Sequence, residues 1–131
     1  MTQIKPTEAE LEILNVLWQR ESATVREVYE LLSQDKTVGY TTVLKMMQIM
    51  DEKGLVKRDT QAKAHVYRAK LAQKEAQRNY VASLLDKVFG GSAKQLVLQA
   101  LESKPASAEE MKEIREILNQ AEKEAQKNKE N

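Results

Sequence analysis

The chain contains no cysteine and only one histidine among its 131 residues. The first absence excludes disulfides, thiolate metal sites and a cysteine nucleophile, and it suits a reducing cytoplasm. The histidine, His65, has no histidine or cysteine companion, so a place in a hairpin or sheet fits it better than metal ligation. There is no Gly-rich phosphate loop and no Gly-x-Ser-x-Gly elbow, and the many carboxylates fall at helix caps and on solvated faces. An enzyme is therefore the poorest reading, and no cofactor or metal is expected. The amino terminus, MTQIKPTEAE, lacks the apolar core of a signal peptide, and no apolar run approaches the length of a membrane span. The expected location is the cytoplasm, without membrane insertion.

What the chain does have is 41% hydrophobic residues, enough for the core of one medium domain or two small units. Its net charge of +1 hides an uneven distribution. Residues 1–35 carry three basic and seven acidic side chains, residues 36–70 eight and three, and residues 71–131 ten and ten. The basic excess of the middle segment is the local asymmetry a polyanion-binding surface needs, although a solvated face can carry as much.

Helix starts are written plainly. Thr7-Glu8-Ala9-Glu10 is a capping box, followed by apolar residues at Leu11, Leu14, Leu17 and Trp18; Trp18 is most simply a core residue. Thr24-Val25-Arg26-Glu27 is a second box, opening a helix with Val28, Tyr29, Leu31 and Leu32 after a short strand around Ser22-Ala23-Thr24. A third helix starts near Gly39 or Tyr40, buries Val43, Met46 or Met47, and Met50, and stops at Gly54. Leu55–Asp59 and Ala64–Ala69 then favour strands around the polar tip Thr60-Gln61-Ala62-Lys63. Three short helices and a hairpin are the order of a winged helix-turn-helix.

Beyond Leu71 the pattern is helical only. Tyr80, Leu84, Leu85, Val88 and Phe89 form an apolar face that ends at Gly90-Gly91, Ser92 caps a helix with Leu96, Val97, Leu98 and Leu101, and Ser107-Ala108-Glu109-Glu110 is a third capping box, opening a helix with Met111, Ile114, Ile117 and Leu118. Such helices cannot bury all these side chains among themselves, so a partner surface is expected, most simply a second copy. The fold class is thus mainly α: a winged helix-turn-helix domain at 1–70, a helical dimerisation region at 71–121, and a polar tail at 122–131 that is expected to fray.

In a helix-turn-helix the second helix of the pair enters the major groove while its opposite stripe packs on the domain. The third helix here would present Tyr40, Thr41, Thr42, Lys45 and Gln48 outward, with hydroxyls for phosphates or bases and an amide suited to adenine. Two or three of Lys57, Arg58, Lys63 and Arg68 of the hairpin would meet phosphates, which ones depending on a register that the sequence leaves open. Leu44 and Ile49 are apolar on what should be a polar face. The rival reading is a protein-interaction module that keeps the winged helix without using it on DNA.

Several stretches resemble the penicillinase-repressor family, the BlaI/MecI-type bacterial repressors: Thr7-Glu8-Ala9-Glu10-Leu11-Glu12-Ile13-Leu14 with Val16-Leu17-Trp18, Ala23–Val28, Gly39-Tyr40-Thr41-Thr42-Val43, and Lys53–Arg58. The likeness continues through Val66-Tyr67 and Phe89-Gly90-Gly91-Ser92 to Ala108–Met111. The resemblance implies a homodimeric repressor that binds a roughly palindromic double-stranded operator through its third helix, with carboxy-terminal helices interlocked between copies. It also raises a sensor or protease that relieves repression. Members answering to a membrane-bound β-lactam sensor share an Asn-Phe bond that is cut just after a Leu-Val-Leu run; here Leu96-Val97-Leu98 is followed by Gln99-Ala100. Cleavage at or near Gln99-Ala100 therefore stays an open alternative rather than an implication. Copper-responsive relatives carry a carboxy-terminal cysteine cluster, which this chain lacks.

Overall fold

The computed structural model describes residues 5–61 and 65–130 and resolves them into two compact units, residues 1–84 and 85–131. In the first unit α1 (Glu8–Arg20), β1 (Ala23–Thr24), α2 (Val25–Leu32), α3 (Tyr40–Lys53), β2 (Val56–Asp59) and β3 (Val66–Ala69) follow one another, and α4 (Gln73–Lys87) begins. The second unit holds α5 (Ala93–Ser103) and α6 (Ala108–Glu130).

Of the three predicted capping boxes, the first two form in full. The Thr7 hydroxyl accepts from the Glu10 amide at 3.2 Å while the Thr7 amide donates to the Glu10 carboxylate at 2.9 Å, and Thr24 and Glu27 repeat the exchange at 3.0 and 2.9 Å. Each box satisfies amides that a helix start otherwise leaves open. Thr24 is shared: its backbone is the last residue of β1 and its side chain caps α2, so strand and helix meet without a loop.

The strands form an antiparallel sheet in the order β1-β3-β2. On this sheet α1, α2 and α3 bury Ile13, Leu14, Leu17, Val25, Val28, Val43, Met47 and Met50, closed by Leu55, Val56 and Tyr67. The spacing 43-47-50 decides which methionine is interior: Met47 is fully buried, and Met46 is half-buried at the margin. Gly54 ends α3 at φ +83°, where its N–H reaches the Asp51 and Met50 carbonyls; a residue with a Cβ is strained there.

Three features go beyond the sequence reading. Leu71 and Ala76 belong to the core of the first unit, the Trp18 indole N–H donates to the Leu71 carbonyl at 2.9 Å, and this unit extends to Leu84. Trp18 is accordingly half-buried, with its polar edge committed. The tail at 122–131, expected to fray, continues α6 as helix through Glu130. Its Ala, Glu, Lys and Gln are good helix formers, and Lys127 and Lys129 in the last turn suit the negative end of the helix dipole.

In the second unit, Gly90 and Gly91 both take positive φ, +56° and +83°, and the Gly91 amide bonds the Leu85 carbonyl. Ser92 and Ser107 cap α5 and α6 by accepting from the Gln95 and Glu110 amides at 3.2 and 3.1 Å. Neither α5 nor α6 holds a fully buried side chain among the described residues.

Candidate nucleic-acid interface

The buried stripe of α3 fixes what the helix can offer outward. With Val43, Met47 and Met50 inside, Thr41, Thr42, Lys45 and Gln48 are exposed at helical spacing on the opposite side. Leu44 is half-buried against the core and so does not lie on the outward face, whereas Ile49, 38% exposed, does. Gly39, the N-cap of α3, contributes no side-chain cap, so the first-turn amides of this helix keep their hydrogen-bonding capacity, unlike those of α1 and α2.

Tyr40 sits differently from its neighbours. Its ring meets Tyr29 edge-on at 5.8 Å between centroids, and the Arg26 guanidinium lies 5.3 Å from the ring centroid. Both contacts tie the start of α3 to α2, so Tyr40 is a packing residue of the helix pair with an edge at the surface. Arg26, an exposed residue of the first turn of α2, was not foreseen as part of this region. A lone exposed arginine carries no signal in the sequence; only its position against Tyr40 does.

The strand register sorts the wing. Lys57 pairs with Arg68, Arg58 with Tyr67, Val56 with Ala69 and Asp59 with Val66. Directly opposed residues share a face and successive residues alternate. Since Val56 and Tyr67 are buried, Lys57 and Arg68 project together from the outer face, and Arg58 rises from the core-side face beside Tyr67. Burial pushes the Tyr67 phenol above its ordinary value, with Arg58 pulling the other way. Asp59 accepts from the Gln61 amide at 3.0 Å at the start of the tip. Lys63 lies outside the described residues. His65 is exposed just before β3, and its carbonyl accepts from the Val25 amide.

The cations divide in two. Arg20 pairs with Glu27 at 2.7 Å, Arg26 with Glu30 at 3.8 Å, Lys36 with Glu12 at 2.9 Å and Lys53 with Glu10 at 2.8 Å. Lys45, Lys57, Arg58 and Arg68 have no ion pair with any described residue. The most committed acid is Glu10: burial raises its carboxyl, but Lys53 and the Thr7 amide outweigh this and hold it below the usual range. Glu27 is likewise lowered, first by the Thr24 amide and with help from Arg20. Lys45 on the outward side of α3 and Lys57 and Arg68 on the outer face of the wing are thus cations without an acidic partner among the described residues, as is Arg58 on the core-side face of the wing.

Among the described residues no cluster of His, Asp and Glu has the makings of a metal site, and no helix is long and apolar enough to cross a membrane. The residues expected at a dimer interface also divide. Val88, Val97, Ile117 and Leu118 are 65%, 42%, 66% and 50% exposed, Leu84 is 43% exposed, and Leu85, Phe89, Leu96, Leu101 and Ile114 are half-buried. Tyr80 is instead engaged within the first unit, where its hydroxyl donates to the Pro6 carbonyl. Gln99 and Ala100 are exposed and lie within α5.

Comparison with known proteins follows the same outline. The sequence profile described as "Penicillinase repressor" matches residues 6–120. The chain is 24% identical over 117 residues to a penicillinase repressor of Staphylococcus aureus, covering 89% of this chain and 93% of the relative. It is 28% identical over 112 residues to the penicillinase repressor of Bacillus licheniformis, covering 86% and 88%. The solution structure of the DNA-binding domain of the repressor BlaI superposes with a TM-score of 0.49 at 24% identity, over 56% of this chain and 90% of that one.

Proposed function

Because the chain belongs to the penicillinase repressor family, we propose that it is a homodimeric transcriptional repressor whose two winged helices bind a palindromic operator in the cytoplasm. In this reading α3 enters the major groove. Thr41, Thr42 and Gln48 face base edges, Lys45 meets the backbone beside them, and Lys57 and Arg68 of the wing hold phosphates of the flanking strand. Arg58 and Lys63 add charge to the wing.

The observation that carries the reading is the exposed face of α3, Thr41, Thr42, Lys45 and Gln48, together with cations that the fold leaves unpaired: Lys45 on that helix and Lys57, Arg58 and Arg68 on the wing have no acidic partner among the described residues. Unpaired, exposed cations beside an exposed row of hydroxyl and amide groups are what a polyanion with readable edges requires. The exposed apolar side chains of α5 and α6 support the homodimer, since a second copy would bury them.

The test is selection of genomic fragments by the purified protein at near-physiological salt, followed by sequencing of the bound DNA. Enrichment of a two-fold symmetric motif is expected. Equal weak retention of all duplexes by folded protein would overturn the repressor reading and favour a protein-interaction module.

A further inference from the structure

Two turns into α4, Tyr80 leaves the pattern of its neighbours: Gln77, Arg78, Val81 and Ala82 are exposed, and Tyr80 is half-buried against the start of the chain. Its hydroxyl donates to the carbonyl of Pro6, itself buried. The Lys5 ammonium lies 5.4 Å from the ring centroid and bonds the Ser83 hydroxyl at 3.0 Å. Lys5 and Pro6 therefore form a strap across one side of α4, stiffened by the fixed φ of proline.

The strap leads directly to the DNA-facing helix. Pro6 precedes Thr7, Thr7 and Glu10 form the capping box, and Glu10 pairs with Lys53 in the last turn of α3. At its other end α4 is preceded by Leu71, whose carbonyl is held by the Trp18 indole. The first part of α4 is thus held at two places, at Leu71–Ala76 and at Tyr80–Ser83. One attachment would let the helix swivel about it; two fix its course.

We propose that Tyr80 is a positioning residue for operator binding: by fixing the course of α4 on the winged helix, the Tyr80–Pro6 and Lys5–Ser83 contacts select the spacing between operator half-sites. The proposal rests on the repressor reading. In a dimer joined through the carboxy-terminal helices, α4 is the covalent route from each DNA-binding unit to the other copy. A swing of about 10° over a helix about 20 Å long moves its end by roughly 3.4 Å, one base-pair step. Dimeric helix-turn-helix proteins read half-sites about one helical turn apart, so an error of that size matters.

The experiment uses the full chain with Tyr80→Phe, which removes only the hydroxyl, and Lys5→Met, which removes the ammonium. Each is run against duplexes whose half-sites are separated by spacers varied one base pair at a time. Wild type should favour one spacing by about tenfold over its neighbours, and both variants should narrow that preference to about threefold or less. Binding to a single half-site and the sedimentation of the dimer should stay unchanged. A variant that unfolds at lower temperature but keeps the wild-type spacing preference would show Tyr80 to be structural only, overturning the inference while leaving the repressor reading intact. Wild type with no spacing preference and no selective site would remove both.

Discussion

The two units of this chain use their apolar side chains in opposite ways. In the first, every helix closes over a shared interior, and the last fully buried hydrophobic residue among those described is Ala76. In the second, α5 and α6 carry Leu, Val and Ile at helical spacing, yet Ile117 and Val97 remain open to solvent in the single chain. Side-chain caps occur in both, at Thr7 and Thr24 in the first and at Ser92 and Ser107 in the second, so capping does not distinguish them. What distinguishes them is where the hydrophobic face finds its complement: within residues 5–84 the same chain supplies most of it, and beyond Leu84 the proposed homodimer would supply it from a second copy.

The largest effect should come from spoiling that second complement. Leu118→Asp or Ile117→Asp is expected to turn the dimer into a monomer by sedimentation and to weaken operator binding on the order of a hundredfold or more, because two sites no longer bind as one. A dimer that tolerates both changes would break the comparison. Shortening tests the first unit from the other side. Residues 1–84 should unfold cooperatively as a monomer, whereas 1–70, which lacks Leu71 and Ala76, should lose about 2 to 3 kcal/mol in urea titration. Equal stability of the two fragments would return the boundary to residue 70.

Within the first unit the finer contrast lies between α3 and the wing. Gln48→Ala or Thr42→Ala should change which operator variants are preferred, by about 1 to 3 kcal/mol for each lost base contact. Arg68→Ala or Lys57→Ala should weaken all sequences alike and reduce the salt slope by about one. If both kinds of variant shift sequence preference equally, the assignment of reading to the helix and holding to the wing is wrong.

The smallest effect concerns Glu10. Because its native pKa is lowered, its contribution to stability is complete above the ordinary value of 4.5 and is lost as pH falls through the native value. Glu10→Gln should cost about 1 kcal/mol near neutral pH, and the denaturation midpoints of wild type and variant should converge in acid. A gap that persists in acid would mean the loss is one of packing and not of charge.

The legible parts of the fold were those fixed by local spacing. Thr7 with Glu10 and Thr24 with Glu27 stand three residues apart, which is the whole geometry of the box, and Gly54 marks the left-handed stop of α3. The outward residues of α3 followed from its buried stripe in the same way. Tyr80 belongs by periodicity to the apolar face of α4, while its bond to Pro6, 74 positions away, leaves no local signal. In the tail a polar composition signals exposure and helix formers signal a helix, and both are true of residues 122–129. The wing register was illegible: with so few alternating residues in each strand, no pattern says that Lys57 stands opposite Arg68 and Arg58 opposite Tyr67.

That rung of two cations has a mechanical consequence. Like charges directly opposed across an antiparallel pair disfavour it by several tenths of a kcal/mol, and Asp59, which shares their face, makes no ion pair with Lys57 or Arg68. A phosphate lodged on the rung reverses the sign of the interaction, so the same two side chains that loosen the hairpin in solution draw it tight on a polyanion. Amide hydrogens of β2 and β3 are accordingly expected to exchange more slowly as inorganic phosphate is added, and those of α1 not to respond.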